Sequence, residues 1–170
     1  MATNMEQTIE SGLNQILGKS GDQAIDLPEW ATPMIMGVIG AIGGKAVGGA
    51  VGGETGGSLA ALLGGVLGGA AGSGALDDLI GKFTQAGAGE QAQSWVSTGP
   101  NQPVDPKTVE QALGPATIQK LSEQTGHSPQ EVEAVLATAI PQVVNTMTPQ
   151  GAVPDSATLE MAAANASRSQ

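Results

Sequence analysis

At 170 residues the chain has the length of one domain with appendages. Sixteen acids against six bases give a net charge of −10, so the chain as a whole repels phosphate backbones and anionic lipid. With no cysteine, it excludes disulfides, thiolate nucleophiles and cysteine metal sites, and its aromatics are only Trp30, Phe83 and Trp95.

The start Met-Ala-Thr-Asn-Met-Glu carries no early Lys or Arg and is not read as a secretory signal. Met5, Ile9, Leu13, Ile16 and Leu17 step by four or three, which predicts an amphipathic helix. Residues 18–30, with Asp22, Asp26, Pro28 and Glu29, read as an acidic loop. Residues 1–30 therefore form an acidic N-terminal helix and linker, expected to pack on the body of the protein. The alternative is a helix that binds a partner.

Residues 31–75 contain only two charges, Lys45 and Glu54. Of the 26 glycines, 16 fall between positions 37 and 74. One row of small residues steps by four through Gly40, Gly44, Gly48, Gly52, Gly56, Ala60, Gly64, Gly68 and Gly72. A second lies one position along, through Gly49, Gly53, Gly57, Ala61, Gly65 and Gly69. The pattern is a glycine zipper, an extended small-xxx-small motif that lets backbones approach closely. Glycine disfavours helix by roughly 0.8–1.0 kcal/mol against alanine, so sixteen would cost on the order of 13–16 kcal/mol uncompensated. Close packing against a neighbour must offset that. Glu54-Thr55-Gly56-Gly57-Ser58 is the most polar point and reads as the turn. Two antiparallel helices are predicted, about 34–53 and 59–74, each roughly 24–30 Å long. The thirteen zipper glycines are the expected oligomer interface.

That length invites a transmembrane hairpin. No Lys or Arg cluster flanks either segment, and Lys45 sits near the middle of the first, at a cost of roughly 2.5–3.5 kcal/mol on insertion. Packing inside a soluble assembly is the preferred reading, ahead of membrane insertion and of a disordered linker.

From Leu76 the pattern changes. Leu76, Leu79, Ile80 and Phe83 predict a short helix ending near Gly87, and residues 89–96 another ending at Trp95. A turn-rich loop follows to Pro103. Three helix starts come next: Asp105-Pro106, Gly114-Pro115, and the capping box Ser128-Pro129-Gln130-Glu131. The last helix carries apolar residues at 132, 135, 136, 139, 140, 143, 144 and 147, with a bend expected at Pro141. Residues 76–154 are thus expected to fold alone as a helical monomer. A weak helix over 155–166 precedes a tail.

The run 79–154 resembles a known family. It contains Phe83-Thr84-Gln85-Ala86-Gly87, Ser94-Trp95-Val96-Ser97-Thr98-Gly99-Pro100-Asn101-Gln102-Pro103-Val104, Gln111-Ala112-Leu113-Gly114 and Pro141-Gln142-Val143-Val144. These stretches are similar to the YidB-like family of bacterial proteins. The resemblance implies an all-helical C-terminal domain of homeodomain-like arrangement, and no established activity. The family's glycine-rich region is matched in kind, while the regular zipper and the acidic leader exceed the resemblance.

Searches for chemistry return negatives. His127 is the single histidine, so neither a metal cluster nor a Ser-His pair can be argued, and it reads as a solvated turn residue. Gly12 stands one residue too far from Gly18-Lys19-Ser20 for a P-loop, and Gly44-Lys45 lacks both the first glycine and the hydroxyl. Residues 118–129 have helix-turn-helix spacing around Gly126. Yet the second helix opens Pro-Gln-Glu-Val-Glu, and its exposed face is expected to offer Glu131 and Glu133 with no Lys or Arg, without the basic footprint of a groove binder.

The expected protein is all-α and non-enzymatic, with no cofactor, metal or small-molecule substrate inferred. It self-associates as a cytoplasmic homo-oligomer through its glycine zipper. A membrane-inserted, pore-like or stress-related hairpin, hence membrane association, is the alternative. DNA binding by the helix-turn-helix is third, with nucleic acid disfavoured as a partner.

Overall fold

The computed structural model describes residues 8, 11, 12, 28–43, 53–66 and 73–151. Among them every regular element is helical, and there are no strands. A 3-10 turn at Glu29–Ala31 leads into α1 (Thr32–Gly43), followed by α2 (Gly53–Val66) and α3 (Ser73–Gln85). Then come α4 (Gly89–Trp95), α5 (Pro106–Leu113), α6 (Pro115–Thr125) and α7 (Pro129–Met147).

Helix α1 is apolar on every side, and a helix of that kind must be enclosed. Each residue from 34 to 42 is buried, with Met34 and Ile42 at 0% exposure. α2 lies along one side of it, while α7 and α3 cover others. One core results, running without a break from Ala31 through Leu59 and Phe83 to Met147. It does not divide at residue 75.

The predicted hairpin is therefore corrected at its turn. The turn placed at residues 54–58 lies inside α2, whose first turn those residues build. A carboxylate at the second helical position is favoured by the positive end of the helix dipole, so Glu54 marks a start and not a turn. The helix predicted over 34–53 is described as α1 only to Gly43. Residues 44–52, and the predicted helix over 155–166, lie outside the described residues. At the N-terminus, Thr8, Ser11 and Gly12 are helical, as the apolar spacing predicts. A Cβ added to Gly12 would collide with Thr146, so this segment packs on α7.

The C-terminal helices follow their local signals closely. Ala75, Leu76, Leu79 and Phe83 form the buried stripe of α3, while Asp77 and Asp78 are exposed. The α3–α4 corner turns at Gly87, whose φ of 88° L side chains rarely adopt. Asp105 precedes α5 with extended backbone as expected, but its side chain makes no capping bond; its carbonyl accepts from Thr108 and Val109. At α7 the capping box is complete. Ser128 Oγ accepts from the Glu131 N–H at 3.3 Å, and Ser128 N–H donates to Glu131 Oε2 at 2.9 Å. α7 is 19 residues long, touches α1, α4, α5 and α6, and keeps Pro141 inside it. It is the axis of the fold.

Candidate functional site

Six of the thirteen glycines expected at an interface fall among the described residues. Gly40 is buried in the last turn of α1, within the chain's own core. Gly53, Gly56 and Gly57 build the first turns of α2, and Gly64 and Gly65 its last. Gly65 is exposed and Gly64 half-buried, and a Cβ at either would meet nothing within 4 Å. Glycine there lowers helix propensity by roughly 0.8–1.0 kcal/mol per position without any close approach among the described residues. Gly44, Gly48, Gly49, Gly52, Gly68, Gly69 and Gly72 lie outside the described residues.

The turn-rich loop after α4 is fixed by Trp95. Its ring is fully buried and meets Phe83 edge-on, with centroids 5.0 Å apart and planes at 80°. Its Nε1–H donates to the Gln102 carbonyl at 2.8 Å, while the Gln102 N–H donates to Ser94 Oγ at 2.9 Å. Asn101 Nδ2 donates to the Pro141 carbonyl at 3.2 Å, tying the loop to α7. The buried Thr148 hydroxyl lies 2.9 Å from the Val144 carbonyl and 3.3 Å from that of Trp95. The loop is thereby clamped from both ends of its span.

His127 departs from the sequence expectation. It is not a freely solvated turn residue: its ring stacks on Trp30, centroids 3.8 Å apart and planes inclined by 18°. Its Nδ1 lies 3.8 Å from Glu131 Oε2. The Ser128 backbone N–H first, and its hydroxyl second, hold the Glu131 carboxyl below the usual range; slight desolvation opposes this, and His127 adds a smaller pull.

Glu133, expected beside Glu131 on the exposed face of the last helix, is instead buried, because α5 packs against that side of α7. Only 8% exposed, on α7, its pKa is raised first by burial and then by Glu110, with Lys107 opposing. A raised folded-state value means that the fold favours the neutral acid. The resulting stability is present below the ordinary glutamate range and is lost as pH rises through the raised value. Glu133→Gln, neutral throughout, should therefore raise the melting temperature at pH 7 by about 1–3 °C. Thermal melts should show that gain vanishing below about pH 4, where both states of the parent are protonated.

The cavity among the described helices offers no chemistry. Where the hairpin meets the C-terminal helices, Val38, Ala41, Leu63, Leu79, Leu113 and Ile140 line an apolar void of about 10 Å³. That is barely one water, and the lining is dry. Among the described residues no cluster of His, Asp or Glu could hold a metal ion.

The sequence matches the YidB-like protein family over residues 8–156. The chain belongs to the YidB-like family. The match starts at residue 8 and not at 79, so it takes in the glycine-rich stretch as well as the C-terminal helices. The continuous core from Ala31 to Met147 gives the physical counterpart of that extent. An *Escherichia coli* K12 relative, described as the uncharacterized protein YidB, is 28% identical over 81 residues. Those residues are 47% of this chain and 61% of the relative, so the chain spans less than two thirds of that YidB-like protein. No solved structure matches the chain.

Proposed function

We propose that this YidB-like protein is a non-enzymatic, self-associating protein whose outer α2 face seats a second copy of the chain. The observation that carries this reading is the open pair Gly64 and Gly65, beside the exposed Ala61. Inside α1, Gly40 serves the chain's own packing; on α2, small residues of the same rows face outward with nothing against them. A neighbouring backbone is the partner that rewards a missing side chain. The glycine-zipper reading thus narrows to one outward-facing helix.

The membrane alternative draws less support. Among the described residues no helix is long and apolar enough to cross a membrane. α1, the most apolar helix, is enclosed by protein. DNA binding draws less still, because the exposed residues at the start of α7 are Gln130, Glu131, Ala134 and Thr138, without a cation.

Gly64→Leu with Gly65→Leu tests the proposal, because bulk there has room inside a single chain. The monomer should keep its melting temperature or gain slightly, since each replacement improves helix propensity by up to about 1 kcal/mol. Overpacking should cost the assembly roughly 1–3 kcal/mol per site in every copy, so that it falls to monomers by light scattering. Gln119→Leu, equally exposed on α6 and off the rows, should leave particle mass unchanged. An intact particle in the double glycine variant, or a parent that is monomeric, overturns the reading.

A further inference from the structure

Trp30 and His127 are far apart in sequence and meet face to face. Each side of the contact is built firmly. Behind His127, its carbonyl accepts from the Ser122 hydroxyl, Gly126 turns at φ 73°, and the Ser128 capping box begins α7. Behind Trp30, the Ala31 N–H donates to the Pro28 carbonyl at 2.8 Å, and Ala31 is wholly buried. The stack therefore joins the lead-in of α1 to the turn between α6 and α7.

We propose that the Trp30–His127 stack is a proton-operated latch, holding the lead-in of α1 against the α6–α7 turn more tightly when the imidazole is charged. A neutral imidazole stacks on indole by dispersion and ring electrostatics. A charged one adds a cation over the face of tryptophan, the best of the aromatic acceptors. The same proton turns the 3.8 Å approach of Nδ1 to Glu131 Oε2 into an ion pair. That oxygen is already held by the Ser128 N–H and hydroxyl at 2.9 and 2.8 Å, so the carboxylate is pre-placed. Both gains favour the geometry already present. The ring is 30% exposed, which leaves it open to protons from solvent.

The charged groups on the surrounding elements are mostly acidic. Glu131 stands on α7, Glu29 beside Trp30 on the 3-10 turn, and Glu123 and Lys120 on α6. α2, which packs on α6, carries Glu54. Carboxylates outnumber the single lysine there. The chain has one histidine and no cysteine. The latch stands apart from the proposed self-association and does not rest on it.

The full chain tests the latch in buffers from pH 8 to 5.5, followed by tryptophan emission and by thermal melts. A charged imidazole accepts an electron from excited indole more readily than a neutral one, so Trp30 emission should fall in one single-proton transition. His127→Gln should abolish that transition, and Trp30→Phe should leave only the pH-independent emission of Trp95. The parent should melt about 2–4 °C higher at pH 6 than at pH 8, a difference that His127→Gln erases. A flat emission profile in the parent, the same transition in His127→Gln, or equal melting temperatures at the two pH values each overturn the latch.

Discussion

Trp95→Ala is expected to lower the melting temperature of the chain by roughly 6–20 °C, the largest effect of any single truncation. Trp95 heads the fully buried side chains by volume, and the core closes around it with no residual exposure. Truncating a buried tryptophan to alanine removes about 3–5 kcal/mol, a large fraction of the 5–15 kcal/mol by which domains are stable. Two further losses follow from geometry. Phe83 loses its edge-on partner, and the Gln102 carbonyl loses the indole N–H. The loop then comes away from α7, because Asn101 reaches the Pro141 carbonyl only while the 95–102 span is held. Trp95→Phe separates the two contributions: it keeps an aromatic ring and deletes the donor. That variant should recover most of the lost stability, short of the parent by about 1 kcal/mol for the hydrogen bond and by the packing of the smaller ring. Chemical denaturation of the three proteins checks the order. An alanine variant melting within 2 °C of the parent, against the roughly 6 °C minimum expected, would mean that the tryptophan is not what closes this core.

Local signals made the C-terminal helices legible. Ser128 and Glu131 are a pair of residues whose chemistry is complete within four positions, so the cap could be read before the fold was known. Pro115 after Gly114, and the stripe through Leu76, Leu79 and Phe83, are equally local. The glycine-rich stretch carries no such punctuation, because glycine suits a turn and a closely packed helix alike. Polar Glu54-Thr55 was therefore taken for a turn, when the same residues suit the first turn of α2. Apolar residues all round α1 likewise fit a membrane span or an enclosed helix, and only the packing of α2, α3 and α7 around it decides.

Long-range contacts were the least legible. No spacing rule connects Trp30 to His127, and a lone histidine before a helix cap reads as solvated whatever ring lies above it. The only sequence clue was an aromatic residue placed where a linker becomes an apolar helix. Glu133 was hidden for a related reason. Its position on α7 looks like one acid among several, and its burial comes from the approach of α5, which carries Glu110 and Lys107. The glycine rows were read correctly as periodic, but periodicity alone does not say which helix turns its small residues inward. Gly40 and Gly65 differ in that respect, and only the fold separates them.

Residues 76–154 expressed alone should retain helical circular dichroism but lose the cooperative melt of the full chain. The local caps and stripes of α3 to α7 survive the cut, which is why an independent helical monomer is what the sequence by itself suggests. The core does not survive it. Leu79, Leu113 and Ile140 line the seam whose other side is Val38, Ala41 and Leu63, so the cut leaves that seam open to water. Helix α1 supplies Met34, Ile35, Val38, Ile39 and Ile42, all within 4% exposure, to the same core. At about 1.5–3 kcal/mol for each large apolar side chain buried, losing five costs as much as the whole net stability expected of a small domain. The fragment should accordingly bind a hydrophobic dye, show a broad thermal transition and associate nonspecifically. Adding residues 1–75 in trans should restore a sharp transition, because the missing face is then covered by its own partner. Differential scanning calorimetry of the fragment, the mixture and the full chain distinguishes the outcomes. A fragment that melts as sharply as the full chain, at the same temperature and without dye binding, would show that the hairpin rests on a finished domain instead of completing it.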